Sequence, residues 1–341
     1  MIRAVTLAGL AGLAAATGLF IWHGVGPVLA AFAAAGLGIV WSSLFHVVSM
    51  ALNARAWQIL LPGRGRGSLW FFLWAVWLRE AVNGLLPVAR IGGEVVSAQL
   101  LIRRGLRPVT AVASLVVDMT VSLLSQFTFT LLGLALLVAR GADGGMVRDV
   151  ALGLLATVPL VAAVFFVQRV GLFTLLAKLF RALFAGRFDA VVGGAVPLDR
   201  AVRRLYRRRR ALLACLVWQL AGWSAGSGEI WLALLFLGHP VALADAFVVE
   251  AVIQALSSTA FIVPGALGVQ EGGFLVIGGL VGLPPELALA LALLRRARDV
   301  IIFVPALLVW QIGAGRRALS LAPDRPQQRR QHEEGAEQRV E

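Results

Sequence analysis

The chain has 341 residues, of which 59% are hydrophobic and only 14% are charged, and its mean hydropathy is +0.85. A soluble domain carries about a quarter of its residues as charges, so this composition excludes that class and indicates an integral membrane protein. The net charge of +13 does not indicate nucleic acid as a partner, because the Lys and Arg residues flank apolar runs and so report membrane topology.

Six apolar segments are long enough to cross a bilayer core about 30 Å thick, which takes roughly 20 residues of helix. The first segment follows Arg3 and is not followed by a convincing cleavage site, so we expect a retained helix rather than a signal peptide. In chain order the six predicted spans are 4–22, 28–51, 108–138, 150–168, 211–238 and 285–315.

Two further apolar segments, 69–102 and 241–281, are interrupted by proline and glycine. Proline followed by glycine ends a helix and lets the chain reverse. Each segment is therefore predicted to be a re-entrant hairpin. The fold class expected is an all-α polytopic membrane protein with about six spanning helices and two re-entrant helical hairpins. The residues that make the two breaks are Pro87, Gly92 and Gly93 in the first hairpin, and Pro264, Gly265 and Gly268 in the second.

Basic residues predict the orientation. The loop 169–210 carries eleven Lys and Arg residues, and short loops with such an excess lie in the cytoplasm. Counting crossings from this loop places both termini in the cytoplasm. Within the loop, 172–184 fits either an amphipathic helix on anionic lipid or a simple topology signal. Residues 1–315 form one transmembrane domain, and the polar tail 316–341 is expected to be disordered.

The two interrupted segments match at a fixed offset of 177 residues. The common pattern is a proline, a glutamate seven residues later, and a Gly-Leu-x-Pro sequence that opens a long apolar helix. Repeat A covers about 28–138 and repeat B about 211–315. Three predicted crossings separate them, which inverts the second relative to the first, as in secondary transporters. The identical pairs are Pro87 and Pro264, Glu94 and Glu271, Gly105 and Gly282, Leu106 and Leu283, and Pro108 and Pro285.

Ionisable residues inside these segments are costly in hydrocarbon, so they are expected to face a polar groove or to neutralise one another between helices. Asp118 and Arg295 each follow a helix-opening proline by ten residues, about 15 Å into the membrane. Arg295 and Asp299 are spaced to pair along one helix face, whereas Glu229 has no visible partner. The predicted head-group groove contains Arg79, Glu80, Asn83, Arg90, Glu94, Asp118, Glu250, Glu271, Arg295, Arg298 and Asp299.

Glu94 and Glu271 also have a simpler explanation, because a carboxylate in the first turn stabilises a helix N-terminus. No catalytic or metal-binding pattern accompanies these charges. The one cysteine, Cys215, lies in an apolar stretch, and the four histidines have no ligand-like spacing. We therefore expect no catalytic residues, no metal and no cofactor, and a protein that is not an enzyme.

The stretch from Asn83 to Glu94, followed by Arg103-Arg104-Gly105, and the stretch from Pro264 to Gly272 resemble two signature sequences of the lysylphosphatidylglycerol synthase transmembrane region, also called the flippase-like family. The resemblance extends over most of 1–315. Full-length members carry a soluble aminoacyl-transfer domain after the membrane part, for which 316–341 is too short. The resemblance therefore implies the role of the membrane part, which is the movement of lipids between leaflets, and it is strongest to stand-alone proteins associated with hopanoid biosynthesis.

The leading hypothesis is a translocase or export factor for lipids of the bacterial inner membrane, with an anionic phospholipid or a hopanoid as substrate. One alternative is a non-transporting scaffold that binds lipid-biosynthesis enzymes through 169–210. The other is an intramembrane enzyme that acts on lipid head groups, for which the sequence offers no recognisable nucleophile or metal set.

Overall fold

The computed structural model describes residues 17–19, 21–22, 24–61, 63, 67–86, 92–139, 195–259 and 266–320. Every regular element in these ranges is an α-helix, which confirms the predicted all-α class for this part of the chain. Most of the predicted span 4–22, the predicted span 150–168, most of the loop 169–210, the tail beyond Ser320, and Pro87, Arg90, Pro264 and Gly265 lie outside the described residues. The helices are α1 (Val25–Ala34), α2 (Gly38–Leu60), α3 (Leu69–Leu85), α4 (Gly92–Arg103), α5 (Pro108–Ala139), α6 (Ala195–Tyr206), α7 (Arg209–Phe236), α8 (Leu243–Thr259), α9 (Val269–Leu280) and α10 (Pro285–Ser320).

The segment 28–51, expected to be a single straight span, is instead divided between two helices. α1 and α2 meet at an angle of 72°. The turn between them includes Gly36 with φ 48°, a left-handed conformation that costs glycine little because it has no Cβ. α2 then continues to Leu60, well past the predicted end.

The first interrupted segment forms two helices that pack on each other, α3 and α4. Ser68 caps α3, since its Oγ accepts a hydrogen bond from the amide of Phe71 at 3.3 Å. Gly93 lies directly on α3, where a Cβ would overlap the carbonyl oxygen of Arg79 and the side chain of Asn83. The chain therefore reverses between Leu85 and Gly92, and the predicted break is present. Gly92 and Gly93 themselves are the first residues of α4 rather than part of the break.

The second interrupted segment has the same form. α8 ends at Thr259, α9 begins at Val269, and the two helices are in contact. Gly268 precedes α9 with φ 78°, again a conformation that favours glycine. A Cβ at Gly273 would touch Ile253 of α8 at 2.9 Å, so this glycine allows the two helices to approach closely.

Helices at the predicted offset correspond. α4 and α9 both contain 12 residues and begin 177 residues apart, and α5 and α10 begin at Pro108 and Pro285. The contacts are reciprocal, because α3 packs on α10 while α8 packs on α5. The order of helices thus recurs as the repeat requires, whereas the inversion across the membrane stays a prediction.

Length and apolarity identify one described helix, α5, as able to cross a membrane by itself, and the bent pair α1 and α2 as able to do so together. α7 and α10 contain 28 and 36 residues, which is long enough. Their polar residues, such as Gln219 and Glu229 in α7 and the charged run 295–299 in α10, lower their hydropathy. The count of six spans therefore remains a prediction.

Glycines of α7 allow it to lie close against α2. Gly222 faces Asn53, and Gly228 faces Phe45, with no room for a Cβ at either glycine. The backbone of Gly222 also accepts a hydrogen bond from Ser49 Oγ at 2.8 Å. Small residues of this kind are the usual means by which membrane helices come into van der Waals contact.

We predict that Gly222→Ala lowers the thermal stability of the purified protein. The added methyl group would overlap Asn53 Oδ1, and such overpacking costs about 1–3 kcal/mol. Gly279→Ala in α9 is the matched control, since a Cβ there meets nothing within 4 Å. Thermal unfolding in detergent measures both variants, and equal unfolding temperatures would contradict the close packing of α2 on α7.

Candidate functional site

A cavity of about 410 Å³ opens among the helices, with walls from α2, α3, α5, α7, α8 and α10 and single residues from α4 and α9. Eight of the eleven residues predicted for the groove line it. Of the remaining three, Glu271 and Arg295 lie next to the wall, where each contacts a residue that lines the cavity, and Arg90 lies outside the described residues. The eight are Arg79, Glu80, Asn83, Glu94, Asp118, Glu250, Arg298 and Asp299.

The first group of charges joins α3 to α5. Arg79 Nη1 donates to Asp118 Oδ2 at 2.8 Å, and Gln219 Nε2 of α7 donates to Asp118 Oδ1 at 3.0 Å. The Arg79 guanidinium also lies 5.4 Å from the centroid of the Trp57 ring, which is within the range of a cation–π contact. Asp118 is buried, and both of its oxygens are bonded, so its charge is compensated.

Asn83 links the two helices of the first hairpin. Its Nδ2 donates to Glu94 Oε2 at 3.0 Å, and its Oδ1 accepts from the amide of Gly93 at 2.9 Å. Asn83 therefore satisfies a backbone amide at the start of α4, which would otherwise lack a partner within the helix. Glu94 is held at the cavity wall by the same side chain.

The second group joins α8 and α9 to α10. Arg295 forms a bidentate pair with Glu250, with N–O distances of 2.6 and 3.0 Å. Gln254 Nε2 donates to the same carboxylate at 2.7 Å. Both Arg295 and Glu250 are buried, so each charge depends on the other for compensation.

Arg296 contacts Glu271 at 2.9 Å, and Glu271 Oε2 accepts a hydrogen bond from the amide of Gly268 at 2.7 Å. The second bond is the capping role expected for this carboxylate at the start of α9. The pairing expected between Arg295 and Asp299 is wrong, because Arg295 is bonded to Glu250 of the neighbouring helix α8 instead. Asp299 instead accepts from Arg298, at 2.6 Å.

The third group lies where α2, α3, α7 and α10 meet. His46 Nδ1 is 2.9 Å from Glu229 Oε2, and His46 Nε2 is 3.2 Å from Glu80 Oε2. Arg298 Nη1 donates to Glu229 Oε1 at 2.9 Å. Glu229, which showed no partner in the sequence, therefore has two.

The sequence did not indicate several residues of the site. His46 is 183 residues from Glu229 and 252 from Arg298, and a single histidine in an apolar helix carries no spacing signal. Gln126 of α5 donates to the carbonyl oxygen of Gln254 at 3.1 Å and to Ser258 Oγ. These bonds tie α5 to α8 at the cavity, and their residue types are common along membrane helices.

Acidic and basic side chains pair across helices, and most of the same side chains line a cavity. Among the described residues, the cavity and its adjoining wall contain more carboxylates than guanidinium groups. The carboxylates are Glu80, Glu94, Asp118, Glu229, Glu250, Glu271 and Asp299, and the guanidinium groups are Arg79, Arg295, Arg296 and Arg298.

Fold and site together define a helical membrane protein in which two broken helix pairs and four long helices surround a charged cavity. The family model described as the lysylphosphatidylglycerol synthase TM region matches residues 9–306. The chain belongs to this family, so the resemblance seen in its sequence is confirmed and its function is related to membrane lipids. No curated protein and no solved structure matches the chain.

Proposed function

We propose that the protein moves a lipid between the two leaflets of the bacterial inner membrane, with the lipid head group in the charged cavity and its acyl or polycyclic tail in the bilayer. The observation that carries the proposal is the cavity itself. Ionisable groups are expensive in hydrocarbon and mark polar pathways when they are retained there. A cavity lined by charged residues from both halves of the chain supplies such a pathway.

One wall of the cavity has an exposed apolar edge. Met119 and Leu123 of α5 line the cavity, yet 41% and 39% of their surfaces are exposed. Ser122 and Gln126, on the same stretch of α5, add polar groups to the wall. We call the edge formed by Met119 and Leu123 the portal. A polar wall that meets an apolar, exposed edge suits a molecule with a polar head and an apolar tail.

The reciprocal packing of the two halves suggests how the cavity changes the side to which it opens. Rocking of repeat A against repeat B is the usual mechanism of inverted-repeat transporters. The contacts of α3 with α10 and of α8 with α5 would then exchange between two arrangements. The groups that would break and re-form at these contacts are hydrogen bonds: Trp77 of α3 donates to the carbonyl oxygen of Ile302 of α10, and Gln126 of α5 donates to that of Gln254 of α8.

The substrate class that fits is a phospholipid or a hopanoid. Arg79, Arg296 and Arg298 reach the cavity wall, and guanidinium groups bind phosphate and hydroxyl oxygens with directed hydrogen bonds. The proposal is for transport without covalent chemistry, so the protein is not an enzyme. Lipid-biosynthesis enzymes are proposed partners that would supply the substrate.

Reconstitution tests the proposal. Purified protein in liposomes that contain a fluorescent phospholipid is expected to expose the inner-leaflet label to a reductant added outside, faster than empty liposomes do. Glu94→Gln is expected to slow this exchange, because it removes a charge at the cavity wall. Glu286→Gln, in the first turn of α10 and outside the cavity lining, is the matched control and should leave the rate unchanged. If the folded protein exchanges lipid no faster than protein-free liposomes do, the transport proposal is wrong and the non-transporting scaffold is favoured.

A further inference from the structure

The His46 ring lies between two carboxylates. Nδ1 is 2.9 Å from Glu229 and Nε2 is 3.2 Å from Glu80. An ionised carboxylate only accepts hydrogen bonds, and a neutral imidazole has a single N–H, so two such bonds require a second proton on the ring. We propose that His46 binds an exchangeable proton between Glu80 and Glu229 and that this proton is coupled to lipid movement. The coupling rests on the proposed function, whereas proton binding does not.

The charges around His46 balance when the ring carries a second proton. From α7, Glu229 already faces the guanidinium of Arg298, whose Nη1 is 2.9 Å from Oε1. From α3, Glu80 is bonded to His46 and to no guanidinium among the described residues. A proton on His46 therefore compensates the charge of Glu80.

α10 contributes the other neighbours of the ring. Arg298 Nη1 lies 3.5 Å from Nδ1, and its charge is shared between Glu229 and Asp299. The Phe303 ring meets the imidazole edge to face, with centroids 5.9 Å apart. From α5, Asp118 is bonded to Arg79 and Gln219 rather than to His46. No charge other than those of Glu80, Glu229 and Arg298 is bonded to the ring within the described part of the chain.

His46, Glu80 and Glu229 all line the cavity. A proton can therefore reach the ring from water in the cavity, where uptake forms one N–H bond, and return to that water on release. The bonded groups belong to both halves, since α2 and α3 lie in repeat A and α7 and α10 in repeat B. Release of the proton leaves one N–H, so the ring can no longer donate to both Glu80 of repeat A and Glu229 of repeat B. The neutral ring also loses the charge that strengthens its bond to Glu229. The proton thus controls the strength of the His46–Glu229 contact, which rocking of the two halves must break.

Nitrogen-15 NMR of the histidine side chains tests proton binding without any transport. In labelled protein in lipid nanodiscs at pH 7, we expect one imidazole with both ring nitrogens protonated, and its signals should vanish in His46→Gln. Glu80→Gln should convert this ring to one with a bare nitrogen, because the amide can donate to Nε2. His239→Gln, whose histidine lies in the turn between α7 and α8, is the control and should retain the signals. A bare nitrogen on His46 in the unaltered protein would overturn the inference.

Coupling is tested in proteoliposomes with an imposed pH gradient. One proton per lipid and a gradient of one pH unit shift the lipid distribution between leaflets by up to about tenfold. We expect a shift towards this limit in the unaltered protein and in His239→Gln, and none in His46→Gln or Glu80→Gln. If lipid is translocated but the pH gradient does not change its distribution between the leaflets, the coupling is wrong and the proposed function stands. If no lipid is translocated at all, both the coupling and the proposed function are wrong, whatever the NMR result.

Discussion

Glu250→Ala is expected to lower the free energy of unfolding by about 3–5 kcal/mol, because it leaves a buried guanidinium without its counter-ion. The partner is Arg295, of which only 5% is exposed and which donates two hydrogen bonds to this carboxylate. Gln254 loses its acceptor in the same substitution. Thermal or denaturant unfolding of the purified protein in detergent measures the effect.

Two variants separate the charge effect from the loss of packing. The double variant Glu250→Leu with Arg295→Met removes both charges and keeps the volume of the side chains, so it should recover most of the lost stability. Glu286→Ala removes a carboxylate from the start of the same helix, α10, and should cost little. If Glu250→Ala unfolds at the temperature of the unaltered protein, the pair does not hold α8 on α10.

The double variant Met119→Trp with Leu123→Trp is expected to reduce lipid translocation to nearly the rate of empty liposomes. Both residues form the portal, the exposed apolar edge of the cavity wall. Two indole rings at this edge would occupy the position through which the tail of a half-inserted lipid passes. Because both positions are exposed, the larger side chains do not have to enter a packed core, and the fold should be retained.

Leu131→Trp with Leu132→Trp is the matched control for the portal. These residues lie on the same helix, are exposed by 44% and 50%, and do not line the cavity. The control should translocate lipid at the rate of the unaltered protein. Equal rates in the portal and control variants, with both proteins folded, would show that lipid does not pass this edge.

The sequence determined the features of the molecule that depend on short stretches of chain. Hydropathy gave the class, and the proline and glycine patterns predicted the ends of α3 and α8 and the starts of α4 and α9. The fixed offset of 177 residues predicted that these helices correspond. The cost of ionisable groups in apolar segments selected eight residues that do line the cavity. Apart from the offset, these inferences follow from local rules, since a helix ends or a carboxylate caps within four or five residues of chain.

The tertiary structure decided which charges are partners. The sequence paired Arg295 with Asp299 from their spacing, whereas in the structure Arg295 of α10 is bonded to Glu250 of α8. The sequence indicated no partner for Glu229 and no role for His46, although His46 Nδ1 lies 2.9 Å from Glu229 Oε2. Such contacts depend on how each helix is rotated and how closely it crosses its neighbour. Rotation and crossing are set by close approaches such as Gly222 on Asn53, between residues far apart in the chain, and no spacing along one helix encodes them.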